Sequence, residues 1–195
     1  MMLLGVDPSL TGCGLVWGPS DFDFQWRRVR GLSLGLDLKR ATTLQKLRRV
    51  EALANDLCEQ VRRVRAERVW IEGQLAMGGA FNVPQLCELI GVLRHELLKQ
   101  CGIVAESAPQ STVRKLVLGW LPQKDRKAAV VGALRAAGIV LDDDDQYDAL
   151  TVWNHGLHEL GAPCLTGLLG PKPTKPKAPR KRAAKGQAVI EGLPL

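Results

Sequence analysis

The sequence predicts an α/β domain on a five-stranded mixed sheet, three antiparallel strands followed by two parallel ones, flanked by helices and trailed by a disordered basic tail. Three observations carry this. Three short apolar stretches lie close together before residue 35 with only short connections between them. From Leu44 the apolar spacing changes from that of a strand to that of a helix. Two later apolar stretches, 68–73 and 102–109, each return after a helical segment, and such a crossover brings a strand back in parallel.

The first strand is "MLLGVD", residues 2–7, and "PSLTGCG" turns the chain into a second, "GLVWG". "FDFQWRRVRGLSL" alternates through Phe22, Phe24 and Trp26 to Val29, which predicts a third strand bulged or kinked near Arg27–Arg28. Leu44, Leu47, Ala54, Leu57, Val61 and Val64 then mark one face of a long amphipathic helix. "RVWIEG" (68–73) reads as a buried strand. Residues 83–101 follow as a helix with Leu86, Leu89, Ile90, Leu93 and Leu97 on one side. "GIVAESAP" is the fifth strand, and Pro109 starts a helix through "QSTVRKLVL". "KDRKAAVVGALRAAG" is a further helix closed by Gly138, and the last helix runs from an acid cluster to Gly161.

The 195 residues suffice for one sizeable core, and 46% hydrophobic with 24% charged content is ordinary for a soluble protein. The charge is uneven. Beyond Gly161 stand Lys172, Lys175, Lys177, Arg180, Lys181, Arg182 and Lys185 against the single acid Glu191, so this tail carries +6 of the formal +7. Its Pro, Lys and Ala content predicts a domain over 1–161 and a disordered basic tail over 162–195. Five cysteines without a C-x-x-C pair exclude a zinc framework or secreted disulfide scaffold, and predict buried free thiols in a reducing cytoplasm. No signal peptide, membrane span or small-molecule cofactor is expected.

Chemistry concentrates on acids. Asp7 closes the first strand and Glu72 the fourth, and the crossover makes those strands neighbours. An acid in such a place often only reaches solvent or meets an arginine. Two side by side repel and raise each other's pKa unless a divalent cation holds them. In "LDDDDQYDAL" (141–150) Asp142 and Asp143 precede or cap the helix. At about 100° per residue, Asp145 and Asp148 lie about 60° apart, and Asp144 and Asp148 about 40° apart. Ala149, Leu150, Trp153, Leu157 and Leu160 define the expected buried face, with Asp148 on its edge and Asp145 nearer its centre. Spacing leaves Asp144 and Asp145 equal as partners for Asp148.

"LLGVDPSLTGCGLV", "RVWIEGQL" and "DQYDALTVW", in that order, resemble the three acidic motifs of RuvC-type Holliday-junction resolvases, of the ribonuclease H-like and retroviral integrase superfamily. The resemblance covers nearly all of residues 2–158. It implies a ribonuclease H-like fold and a homodimer that cuts four-way DNA junctions with two Mg2+ per active site, Mn2+ being able to substitute. The family's D-x-x-D pattern selects Asp145, so the implied catalytic and metal-binding set is Asp7, Glu72, Asp145 and Asp148. Two divalent ions about 4 Å apart activate a water and stabilise the leaving oxygen in an in-line displacement at phosphorus.

The turn "PSLTG" is shorter than the usual RuvC loop and closer to that of phage-type relatives. The expected place is the cytoplasm of a bacterial or phage-infected cell. Where those proteins carry an aromatic three residues after the strand Glu, this chain has Leu75, and Phe81 in "MGGAFNVP" is the aromatic at hand to open the junction. Arg114, Lys115, Lys124, Arg126 and Lys127 are expected to contact DNA, Lys127 in the place of a RuvC lysine near the scissile phosphate, while the plain reading is a solvated helix face. The tail cations are expected to add sequence-independent binding. His155 and His158 read as ordinary surface histidines, or ones supporting the site from behind. Helix 83–100 is the expected dimer interface. The alternatives are a ribonuclease H-like nuclease acting on flaps or RNA–DNA hybrids, a non-catalytic DNA-binding scaffold, and an actin-like sugar kinase, which needs a far longer chain.

Overall fold

Strand β1 (Met2–Pro8) can lie at the centre of a sheet because both of its faces are apolar: Leu3 enters one core layer, Leu4 and Val6 the other, and all three are fully buried. Antiparallel to it runs β2 (Gly12–Pro19), and antiparallel to that β3 (Arg30–Gly35). On the other side β4 (Arg68–Gly73) pairs in parallel with β1, and β5 (Glu106–Pro109) in parallel with β4. The order β3-β2-β1-β4-β5 is the predicted mixed sheet. The computed structural model describes residues 1–9, 12–20, 30–35, 42–73, 83–122 and 124–172. The predicted first half of the third strand, with its kink, lies outside them.

Helices α1 (Thr43–Val64) and α2 (Val83–Cys101) cover one face of the sheet, and α3 (Gln110–Leu118), α4 (Arg126–Ala136) and α5 (Asp144–Glu159) the other. Thr42 caps α1 in a reciprocal box with Gln45. Gly102, at φ 68°, closes α2 where a fifth strand was expected to begin, so β5 starts only at Glu106.

Three further expectations need correcting. Leu44 and Leu47 are 58% and 64% exposed rather than buried. At about 1.5 Å per residue, α1 is about 33 Å long, whereas β1 spans about 23 Å, so the helix overhangs the sheet at its start. Helix α5 is not one-faced: every residue from Gln146 to Leu157 is buried, because the sheet lies on one side and α3 and α4 on the other. And the packed unit does not end at Gly161. Asn154 Nδ2 donates to the Leu165 carbonyl at 3.0 Å and Asn154 Oδ1 accepts from the Leu165 amide at 2.7 Å. The amides of Gly167, Leu168 and Leu169 reach the carbonyls of Leu116, Val117 and Leu118, which α3 leaves free at its C-terminus. Cys164, Leu165, Leu168 and Leu169 pack on the core, so the boundary expected at Gly161 falls inside this unit.

All five cysteines are free, but only Cys13 and Cys58 are buried, and Cys87 is exposed. Burial pushes the Cys58 thiol up to about 12, with the neighbouring Cys101 adding to it. Among the described residues no helix is long and apolar enough to cross a membrane.

Candidate active site

The pleat decides where two of the acids point. Leu3 and Asp7 share a face of β1, and Trp70 and Glu72 share a face of β4. Leu3 and Trp70 both lie in the layer that contains α5, so Asp7 and Glu72 emerge toward that helix. The register sets Val6 beside Ile71, which brings the two carboxyls side by side at the C-terminal edge of the parallel strands.

Helix α5 supplies the others. Asp143 is its N-cap, the side-chain oxygen accepting from the Gln146 amide at 2.9 Å, as the capping reading requires. Asp144 is exposed, and Asp145 and Asp148 follow on the side turned to β1. Two glycines let the helix backbone lie this close. Gly14 stands opposite Asp7, and a methyl group there would run into the backbone carbonyl of Asp145; one at Gly5 would meet the backbone of Ala149 and Trp153.

Asp7, Glu72 and Asp148 are 7%, 3% and 3% exposed, while the Asp145 side chain keeps 38%. The sequence geometry had the last two reversed, since it assumed a single buried face. Burial above all, then the hydrogen bond and charge of Glu72, then the charges of Asp148 and Asp145, hold the Asp7 carboxyl well above the usual value. Lys127 Nζ lies 3.2 Å from Asp145 Oδ1 and 3.1 Å from Asp148 Oδ2. Partial burial works against the Lys127 charge, but Asp148 and Asp145 outweigh it and its pKa rises. Arg114 Nη2 lies 3.1 Å from Asp148 Oδ1 with only 13% of the side chain exposed. Arg114, expected to contact DNA, stands among the acids rather than on a solvated helix face. Lys115, Lys124, Arg126 and Lys172 are exposed. Phe81, Leu75, Lys175, Lys177, Arg180, Lys181, Arg182 and Lys185 lie outside the described residues.

Sequence reasoning missed Gln110, whose Nε2 donates to Glu72 Oε2 at 3.4 Å. The signal was available: Gln110 follows the strand beside Glu72, and Arg114 sits four residues on, on the same face of α3.

Four carboxylates against two cations leave an excess of negative charge. Glu72 Oε1 is buried without a hydrogen-bond partner, and Asp7 is driven toward its protonated form. A hard divalent cation suits these oxygens: it would satisfy the orphaned atom and replace the proton.

The sheet order and the helical layers define the class of the fold, which is ribonuclease H-like. Within that class the chain matches the structure of RuvC from Thermus thermophilus (TM-score 0.60, 16% identity, covering 83% of this chain and 98% of that one). The T. thermophilus RuvC in complex with a Holliday junction substrate matches equally (TM-score 0.60, 15% identity, 83% and 96%). The yeast mitochondrial Holliday junction resolvase Ydc2 matches at a TM-score of 0.49 and 13% identity over 80% of each chain. No protein-family model matches the sequence, and no curated protein matches it.

Proposed function

We propose that this chain is a structure-selective DNA endonuclease that hydrolyses phosphodiester bonds of four-way junctions, with Asp7, Glu72, Asp145 and Asp148 holding Mg2+ or Mn2+. The observation that carries this is the convergence of four carboxylates from β1, β4 and α5 at the C-terminal edge of the parallel strands, with one buried oxygen left unpartnered. Bound there, divalent ions would supply an activated water and neutralise charge on the leaving oxygen. The chain's own residues orient the rest. Gln110 steadies Glu72, Arg114 holds Asp148 in place, and Lys127, 41% exposed, is free to swing from the acids to a phosphate. Exposed Lys115, Lys124 and Arg126, on or next to the helices that carry Arg114 and Lys127, track the DNA backbone, and the tail cations add binding without sequence preference.

The test is incubation of the protein with a four-way junction, a flap, an RNA–DNA hybrid and plain duplex, with and without Mg2+. Metal-dependent cutting of the junction alone is expected. Cutting of flaps or hybrids in its place would move the substrate. Junction binding with no cutting under any metal would make the chain a scaffold. Asp7→Asn, Glu72→Gln, Asp145→Asn and Asp148→Asn should each stop cleavage and leave junction binding, whereas Asp142→Asn and Asp144→Asn stay active. Loss of cleavage in Asp144→Asn with Asp145→Asn active would reassign that position.

A homodimer belongs to the same proposal, since a two-fold axis presents two sites to two strands. The apolar stripe of α2, Leu86 to Leu97, is spent on the core. What remains for a partner is the seam between the two helices, where exposed Val92 of α2 and Leu47 of α1 border a shared groove. A monomer by sedimentation at micromolar concentration, with full junction cleavage, would remove the dimer.

A further inference from the structure

At the far end of α5 from the acid cluster, His155, His158 and Glu159 gather on one turn of helix. His155 Nε2 lies 3.9 Å from Glu159 Oε1, and His158 Nδ1 lies 3.5 Å from the same oxygen. The two imidazoles stack 11° from parallel with ring centres 6.4 Å apart, and the three donor atoms all lie within 4.8 Å of one another. Of the two readings the sequence left for His155, surface or support behind the acids, the surface one does not describe it. It is 7% exposed, and its Nδ1 is buried with no hydrogen-bond partner. Nε2, not the orphaned Nδ1, is the nitrogen turned to Glu159, so it is the atom His155 offers to a shared ion next to two solvent-facing donors.

We propose that His155, His158 and Glu159 form a binding site for a first-row transition-metal ion of the zinc type, distinct from the carboxylate cluster and present once per chain. Metal–ligand distances of about 2.0–2.2 Å put tetrahedral donors about 3.3–3.6 Å apart, so the observed separations close with small rotations of side chains. Two imidazoles with one carboxylate suit Zn2+, Co2+ or Ni2+ and are poor ligands for Mg2+, so the two centres sort ions by donor chemistry. The C-terminal end of a helix favours a cation through its dipole. His158 and Glu159 are about half exposed, which leaves the fourth position to water or to a donor from outside the chain. Seven residues separate His155 from Asp148, about 10 Å along the helix, so an ion here does not share ligands with the acids.

Zn2+ binding to the full chain by equilibrium dialysis in excess Mg2+ tests this. One Zn2+ per chain is expected, with affinity at least tenfold weaker in His158→Gln and in Glu159→Gln, both exposed positions whose loss leaves the core intact, and unchanged in Asp145→Asn. The protein has three histidines, so Co2+ under the same conditions should shift the ring resonances of His155 and His158 and leave those of His95 in place. Absence of binding in Mg2+, binding equal in all variants, or loss only in Asp145→Asn would each overturn the site.

Discussion

Replacing Arg114 by methionine separates two roles that the same residue could have. As a DNA contact, its loss would weaken binding and leave folding alone. As the counter-ion of Asp148, its loss would strand a carboxylate that is 3% exposed. Removing the partner of a buried ion pair costs about 3–5 kcal/mol when nothing else compensates. Here Lys127 Nζ stays 3.1 Å from Asp148 Oδ2, so we expect about 2–3 kcal/mol. In a chain of this size that lowers the melting temperature by about 4–12 °C. The assay is thermal or urea unfolding in EDTA of the parent, Arg114→Met, Asp148→Asn and the double variant. A coupling of about 2 kcal/mol is expected from the cycle. Mg2+ should narrow the gap between parent and Arg114→Met, since a divalent ion bound as proposed would serve Asp148 as the arginine does. A coupling below about 0.5 kcal/mol, the range of exposed pairs, together with weakened DNA binding, would refute the reasoning.

Asp7→Asn should raise the melting temperature in EDTA by an amount that grows with pH. A folded-state pKa above the ordinary 3.8 gives the parent stability that is complete below that value and lost as pH rises through the elevated one, while asparagine stays neutral throughout. A difference independent of pH would contradict the raised value. Gly14→Ala should cost about 1–3 kcal/mol, as forced overpacking does; Gly91→Ala, where an added methyl meets nothing within 4 Å, is the control, and equal neutrality would disprove the close approach of α5. Asn154→Ala should cost about 2–4 kcal/mol, because it removes two hydrogen bonds and leaves polar groups of Leu165 unserved; unchanged urea unfolding would show that 162–170 does not pack. Ending the chain after Lys172 removes six tail cations and should make the log–log salt dependence of junction binding shallower, by up to about 0.9 for each phosphate the tail neutralises, with cleavage at saturating DNA unaltered. Equal slopes would deny the tail a DNA role.

The elements were legible because local period and global fold agree along most of the chain. Leu86, Leu89, Ile90, Leu93 and Leu97 are spaced for a helix and buried as one. Asp7 and Glu72 could be placed together because strand pleat and crossover rules suffice to bring them there. The errors share one physical origin: reading each helix as having a single wet side. That assumption exchanged the burial of Asp145 and Asp148 and left a surface place open for His155, when α5 is enclosed by other layers that only tertiary packing reveals. At the other extreme, the Pro- and Lys-rich composition after Pro171 was extended backward over "APCLTGLLG", whose Cys164, Leu165, Leu168 and Leu169 already formed an apolar signal of their own.

The enclosure of α5 has a consequence for how the acids respond over time. Amides from Ala149 to Leu157 sit in the part of the chain that opens last, so their hydrogen exchange should require unfolding of the whole domain. Asp148 is carried by that slow segment and keeps its position for as long as the fold lasts. Asp145 rides on the first turn, half in water, where a helix frays on its own. One carboxylate is thus a fixed reference and its neighbour three residues earlier is an adjustable one. Under the proposed function, a change in the spacing of bound ions would be absorbed at a single place, without disturbing the rest of the molecule.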